Sequence, residues 1–136
     1  MTPQHTILFV DDDKDFLTAQ TAFFQAHGYT VLTAYDPAEA LALLETQTPD
    51  IVFLDLMMEH VDDGFRLGYE IRKREHFKDV PLVMLSGVAA ATGQRFDAEA
   101  GGLQEWSRLD QFLDKPVTGR QLLRVVQERL GDGRAA

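Results

Sequence analysis

The chain has 136 residues, 45% of them hydrophobic, which is enough for one hydrophobic core and too few for two ordinary domains. Its formal net charge of −9 disfavours direct contact with nucleic acid or with anionic membranes, because both are bound largely through Lys and Arg. The absence of cysteine excludes disulfides, thiolate zinc sites and a cysteine nucleophile, and no apolar run is long enough to span a membrane. We therefore predict one cytoplasmic domain over residues 1–136, with a core at 5–130 and a tail at 131–136.

Short apolar segments alternate with segments of helical periodicity along the chain. The predicted strands are residues 5–10, 29–34, 51–54, 80–85 and 111–114. The predicted helices are residues 14–27, 37–46, 65–74 and a last helix between Thr118 and Gly131. Nearly continuous apolar strands that alternate with helices are typical of a parallel sheet covered on both faces. The sequence therefore predicts an α/β fold with a doubly wound, five-stranded parallel sheet.

Helix boundaries carry their own signals. Asp36 is placed to cap the second helix, with Pro37 at the first helical position and Glu39 completing a capping box. Thr118 and Gln121 have the same spacing before the last helix. In the first helix, which Gly28 ends, the apolar positions that recur at helical spacing are Phe16, Ala19, Phe23 and Ala26.

Polar residues follow four of the five predicted strands. Ligands of open parallel sheets bind at the carboxyl ends of the strands, so these positions are the candidates for a functional site. In chain order they are Asp11, Asp12, Asp13, Asp55, Ser86 and Lys115.

The chemistry of these side chains indicates phosphoryl transfer. Carboxylates that lie close together repel one another, and Mg²⁺, a hard cation that prefers oxygen ligands, offsets their charge. The Asp55 carboxylate can attack phosphorus to give an aspartyl phosphate. The hydroxyl of Ser86 and the ammonium of Lys115 can then bind the oxygens of the transferred group.

Four segments together resemble the response-regulator receiver family. ILFVDDD resembles its acidic pair, PDIVFLDLMM its phospho-acceptor strand, VPLVMLSG its hydroxyl strand, and FLDKPV its lysine-proline turn. The four occur in the family's order and span nearly the whole chain. The resemblance implies a flavodoxin-like fold and a phosphorylation-dependent switch that catalyses, at most, its own phosphorylation and dephosphorylation.

Carried over by position, the resemblance implies that Asp55 is the phospho-acceptor. It further implies that Asp12 binds Mg²⁺ directly, that Asp11 binds it mainly through water, and that Met57 contributes its backbone carbonyl. Methionine side chains after a buried strand usually pack, so Met57 is not expected to bind through sulfur.

Ser86 and Lys115 complete the site by the same resemblance, and Phe112 resembles the family's switch aromatic. The sequence leaves open whether Phe112 is a switch or a core residue. The resemblance implies a histidine kinase or a histidine phosphotransfer protein as donor. We also expect a downstream protein target, and the family allows a homodimer that depends on phosphorylation.

The chain departs from the family pattern in three places. Glu59 replaces the usual proline in a loop that is one residue longer, Gly87 replaces the usual alanine, and the connection between Ser86 and Lys115 is long. The chain has no room for an output domain, so it either signals by protein contact or is a piece of a larger regulator.

Two other functions are compatible with parts of the pattern. FVDDDK also resembles the Asp-x-Asp element of haloacid-dehalogenase-like phosphatases, in which Asp11 would be the nucleophile. A receiver-like scaffold that takes no phosphoryl group is the other alternative.

Several residues are expected to have structural or surface roles and no part in the chemistry. Asp13 and Asp15 are expected to stabilise the start of the first helix. Phe96 and Trp106 are expected in a local core rather than an exposed partner patch. The four histidines lie apart without metal-ligand spacing, which favours surface roles for His5, His27, His60 and His76.

Overall fold

The structure is a computed structural model, and it describes residues 5–55, 63–74, 77, 80–86, 110–114 and 117–130. Within these residues it contains five strands and four helices. The strands are β1 (Thr6–Val10), β2 (Thr30–Ala34), β3 (Ile51–Asp55), β4 (Leu82–Ser86) and β5 (Asp110–Asp114). The helices are α1 (Lys14–Ala26), α2 (Pro37–Leu44), α3 (Asp63–Lys73) and α4 (Gly119–Leu130). Every predicted element is present, and most boundaries differ from the prediction by one or two residues.

The five strands form one parallel sheet in the order β2-β1-β3-β4-β5. Successive side chains of a strand point to opposite faces, so each central strand feeds two cores. In β1, Leu8 and Val10 belong to a cluster with residues of α2 and α3. Ile7 and Phe9 belong to a second cluster with residues of α1 and α4. Helices thus cover both faces, which confirms the predicted doubly wound fold.

The buried face of α1 differs from the apolar stripe seen in the sequence. Leu17, Gln20 and Phe24 are the buried residues of this helix. Phe16 and Phe23 are only partly buried, and the predicted positions Ala19 and Ala26 are exposed. The predicted face would direct Ala19 and Ala26 towards the sheet. Leu17 and Phe24 are larger than alanine and bury more apolar area there, so the face that carries them packs against the sheet.

Phe23 lies on the flank of α1 that approaches α4. A Cβ atom at Gly119 would lie 3.0 Å from the Phe23 ring, so the two helices come close at this point. Within the core, Phe9 stacks on Phe53 of the neighbouring strand, with ring centroids 5.0 Å apart. These contacts hold α1 and α4 against the two central strands.

The predicted N-caps Asp36 and Thr118 are confirmed, and only the box at Asp36 differs in one partner, because Glu39 Oε1 accepts from the N–H of Tyr35 and not from that of Asp36. Asp36 accepts a hydrogen bond from the backbone N–H of Glu39 at 2.7 Å. At the start of α4, the Gln121 N–H donates to Thr118 Oγ1 at 3.1 Å, and the Thr118 N–H donates to Gln121 Oε1 at 2.7 Å. Gly28, after α1, has a φ of 90°, a left-handed conformation that favours glycine. These local signals fix where the helices begin and end.

We expect Asp36→Ala to lower the free energy of unfolding by about 1 kcal/mol, because the substitution removes an N-cap acceptor. Asp36→Asn retains that acceptor and should stay close to the wild type. Urea denaturation followed by circular dichroism measures both variants. Equal losses for Asn and Ala would show that the charge of Asp36, and not its hydrogen bond, stabilises α2.

Some sequence predictions lie outside the described residues. They concern the loop after β3, the long connection between β4 and β5, and the tail at 131–136. The residues involved are Met57, Met58, Glu59, His60, His76, Gly87, Val88, Phe96, Trp106 and Lys115.

Candidate functional site

The candidate site lies at the carboxyl edge of the sheet, between its two most central strands. The chain passes from β1 out to β2 and then returns to β3 on the other side of β1, so the strand order reverses here. Asp11 directly follows β1, and Asp55 is the last residue of β3. This is the position at which open α/β sheets bind ligands.

Three carboxylates converge at this point. Asp11, Asp12 and Asp55 each offer an oxygen atom, and these atoms all lie within 4.8 Å of one another. Asp11 is 1% exposed and Asp55 is 4% exposed, whereas Asp12 is exposed. Two acids thus form the floor of the site, and the third faces solvent.

Backbone hydrogen bonds hold Asp11 in place. Its N–H donates to the carbonyl of Ala34 in β2 at 3.0 Å, and its Oδ1 accepts from the N–H of Asp13 at 2.9 Å. The Asp13 carboxylate in turn caps α1 by accepting from the N–H of Phe16 at 3.1 Å. The predicted helix-start role of Asp13 is therefore confirmed, Asp15 lies in the first turn of α1 as predicted, and the turn that carries Asp11 is fixed at both ends.

The donor set suits a hard divalent cation. Carboxylates at this separation repel one another, and burial of two of them strengthens that repulsion because the local dielectric is low. Oxygen ligands from a few carboxylates are what Mg²⁺ takes in proteins, with water and phosphate oxygens as its other ligands. The residues present therefore fit the predicted ion.

The backbone places Ser86 at the same edge. Asp55 pairs with Leu85 across β3 and β4, so Ser86 lies one residue further towards the edge. Ser86 itself pairs with Asp114 of β5. Lys115 follows Asp114 directly in sequence but lies outside the described residues, as does Met57.

Phe112 is partly buried and packs against the cluster on the α2 and α3 face. Its neighbour Gln111 bonds to α4 instead, because Arg129 donates to Gln111 Oε1 from Nη2 at 2.9 Å and from Nε at 3.2 Å. Phe112 therefore contributes to the core, and its role as a switch stays a prediction. The contact between Gln111 and Arg129 has no signal in the sequence.

A cation–π contact next to the acidic run of the sequence was not predicted. The ammonium of Lys14, the first residue of α1, lies 4.7 Å from the centre of the Tyr35 ring. Tyr35 follows β2 and is 46% exposed. The lysine in the run DDDKD is visible in the sequence, but its aromatic partner, Tyr35, lies far from it along the chain.

Residues 7–127 match the sequence family of the response regulator receiver domain, which covers most of the chain. The chain therefore belongs to this family, whose members are receiver domains of two-component response regulators. Protein PilG of Pseudomonas aeruginosa is 30% identical over 121 residues, which cover 89% of this chain and 84% of PilG. Other curated relatives are longer: the chain spans 19% of RcaC of Microchaete diplosiphon and 49% of VanRc of Enterococcus gallinarum, at 31% and 32% identity.

Solved structures agree with this assignment. The chemotaxis response regulator CheY4 of Vibrio cholerae is 28% identical with a TM-score of 0.76, covering 94% of this chain and all of that one (100%). The receiver domain of the sensor histidine kinase PA1611 of Pseudomonas aeruginosa is 28% identical with a TM-score of 0.75, covering 95% of this chain and 99% of that one. That structure has a magnesium ion coordinated in its active-site cleft. No helix among the described residues is long and apolar enough to span a membrane.

Proposed function

We propose that this receiver domain is a phosphorylation-driven switch of a two-component phosphorelay, with Asp55 as the phospho-acceptor. The observation that carries the proposal is the convergence of the Asp11, Asp12 and Asp55 oxygens within 4.8 Å at the strand-order reversal. The donor is a phosphohistidine of a histidine kinase or of a phosphotransfer protein.

The transfer is a nucleophilic displacement at phosphorus. A carboxylate oxygen of Asp55 attacks the phosphorus atom, the bond from phosphorus to the donor imidazole nitrogen breaks, and the imidazole leaves with that electron pair. Burial of Asp55 on the floor of the site restricts approach to one side and limits access of water.

Asp11, Asp12 and Asp55 would hold Mg²⁺, together with the backbone carbonyl of Met57. When bound, the ion neutralises charge on the carboxylates and on the phosphoryl oxygens. The donor that orients Asp11 towards this position is the backbone N–H of Asp13, which is less mobile than a side-chain donor would be. This anchoring suits a residue that binds a metal rather than one that attacks a substrate.

Ser86 and Lys115 supply the remaining contacts of the phosphoryl group. Strand pairing brings the backbone of Ser86 to the edge that holds Asp55, and Lys115 follows the neighbouring strand. The Ser86 hydroxyl donates to one phosphoryl oxygen, and the Lys115 ammonium pairs with another.

The added charge rearranges the surface around β5 and α4. Movement of Ser86 towards the phosphoryl group opens space for Phe112, which lies on the strand next to it and is only partly buried. The signal then passes to a downstream protein target, with a phosphorylation-dependent homodimer as one route. The domain carries out no reaction beyond its own phosphorylation and dephosphorylation, and its setting is the cytoplasm.

Phosphorylation by a small donor tests the proposal. The chain is incubated with acetyl phosphate, with and without Mg²⁺, and its intact mass is measured. We expect one adduct of about 80 Da that requires Mg²⁺. Steady release of phosphate that Asp11→Asn abolishes and Asp55→Asn does not would contradict the proposal and make the protein a phosphatase. No adduct from either acetyl phosphate or phosphoramidate would indicate a scaffold.

We expect the aspartyl phosphate to hydrolyse slowly, because Met57 and Val88 are apolar and cannot align a water molecule. Met57→Asn or Met57→Glu should speed phosphate loss by roughly an order of magnitude by supplying a polar group. Met57→Leu is the matched control and should leave the rate unchanged. The decay is followed by intact mass after removal of the donor, and an unchanged rate in both polar variants would refute this explanation.

A further inference from the structure

The side chain of Lys14 has an unexpected partner. In sequence it stands among four aspartates, Asp11, Asp12, Asp13 and Asp15. Among the described residues its ammonium nevertheless forms no ion pair with any of them, and it lies instead over the Tyr35 ring, 4.7 Å from the ring centre. A cation over an aromatic ring at this distance is attracted by the negative face of the ring.

The backbone of Tyr35 is anchored at the edge of the sheet that carries the acidic residues. Val10 pairs with Ala34 in the parallel ladder, so Asp11 and Tyr35 follow their strands at the same level. The Ala34 carbonyl accepts the Asp11 N–H at 3.0 Å, and the Tyr35 N–H donates to Glu39 Oε1 at 2.7 Å. Tyr35 is thus tied to the metal-ligand turn on one side and to the start of α2 on the other.

Without this ring, Lys14 would have a better partner nearby. The residue lies two positions after Asp12 on a long, flexible stem, and an ammonium at the N-terminus of a helix is disfavoured by the macrodipole. Exposed Asp12 is a member of the acidic cluster and accessible from solvent. An ammonium bound there would add positive charge to the site and compete with a divalent cation for the same oxygen atoms.

We propose that Tyr35 is a positioning residue that holds the Lys14 ammonium away from the acidic cluster and so keeps Asp12 available to the metal. The inference rests on the proposed function, because it assumes that Asp11, Asp12 and Asp55 bind a divalent cation. It explains why an aromatic side chain that is 46% exposed stands at this edge of the sheet.

The test measures metal affinity in the full chain and needs no phosphoryl transfer. Mn²⁺ is titrated and the free ion is followed by electron paramagnetic resonance, with Mg²⁺ as competitor. We expect Tyr35→Leu to weaken binding roughly two- to fivefold, the factor that an exposed cation–π contact corresponds to. Tyr35→Phe keeps the ring and should bind like the wild type.

A double-mutant cycle separates the Lys14 effect from a general effect on the loop. In a Lys14→Gln background the Lys14 ammonium is absent and cannot compete with the metal, so Tyr35→Leu should no longer weaken binding. An equal loss in both backgrounds, or no loss in either, would overturn the inference. Absence of Mn²⁺ and Mg²⁺ binding to the wild type would instead refute the proposed metal site on which it rests.

Discussion

We expect Asp55→Asn to abolish the phosphoryl adduct. An amide is a far weaker nucleophile than a carboxylate, and it cannot form an acyl phosphate, so we expect the adduct to fall by more than about a hundredfold, below detection. The measurement is the intact mass after incubation with acetyl phosphate and Mg²⁺. The fold is expected to survive, since Asn has nearly the size of Asp and removes charge from a buried position that is 4% exposed.

Asp15→Asn is the matched control for this substitution. It removes the same charge from the same edge of the sheet, but Asp15 lies in the first turn of α1 and is not a member of the acidic cluster. The control should form the adduct as the wild type does. An adduct that persists in Asp55→Asn would assign the phosphoryl group to a different residue and would reject Asp55 as the acceptor.

We expect Asp11→Asn to lower metal affinity and to raise stability in the absence of metal. We expect Mg²⁺ binding to weaken by roughly ten- to a hundredfold, because one of the three converging carboxylates is lost. In the absence of metal, the free energy of unfolding should rise by about 1 kcal/mol, because the repulsion between two buried carboxylates is relieved. Calorimetric titration and urea denaturation in a chelator measure the two effects.

Asp13→Asn serves as the control for Asp11→Asn. The asparagine side chain still caps α1, and the backbone N–H that donates to Asp11 Oδ1 is unchanged. Metal affinity should therefore change little, apart from the weak effect of one exposed charge. Loss of stability without metal in Asp11→Asn would mean that the carboxylate is held mainly by its hydrogen bonds and not strained by repulsion.

The site was predictable from sequence to the extent that it follows from strand ends. An apolar run that stops at an aspartate marks the carboxyl end of a buried strand, and parallel strands bring these ends to one edge. Asp11, Asp12 and Asp55 could therefore be brought together without knowledge of the sheet order. The roles of Ser86 and Lys115 rest on side-chain chemistry and on the family resemblance, that of Met57 rests on the resemblance alone, and all three stay predictions.

The buried face of α1 could not be predicted from periodicity. Two apolar pairs run along this helix at a spacing of seven residues, Phe16 with Phe23 and Leu17 with Phe24. Either pair satisfies helical spacing, and the choice depends on the sheet below and on the approach of α4 at Gly119. Tertiary packing therefore determines which of the two pairs is buried.

The partner of Lys14 was hidden for a related reason. Local sequence offers this lysine four aspartates, whereas Tyr35 lies far along the chain and comes close only because β2 pairs with β1 in parallel register. Contacts of this kind depend on which strands pair and in what register, which local sequence patterns do not reveal. The contact between Gln111 and Arg129 also escaped prediction, because it depends on how α4 packs beside β5.

The most direct test of the central claim is to locate the phosphoryl group by chemistry. The phosphorylated chain is treated with borohydride, which reduces an acyl phosphate to an alcohol and so converts the acceptor aspartate to homoserine. The peptides are then sequenced by mass spectrometry. Homoserine at position 55 is the predicted result. Homoserine at position 11 or 12, with aspartate retained at 55, would contradict the account and favour the phosphatase alternative.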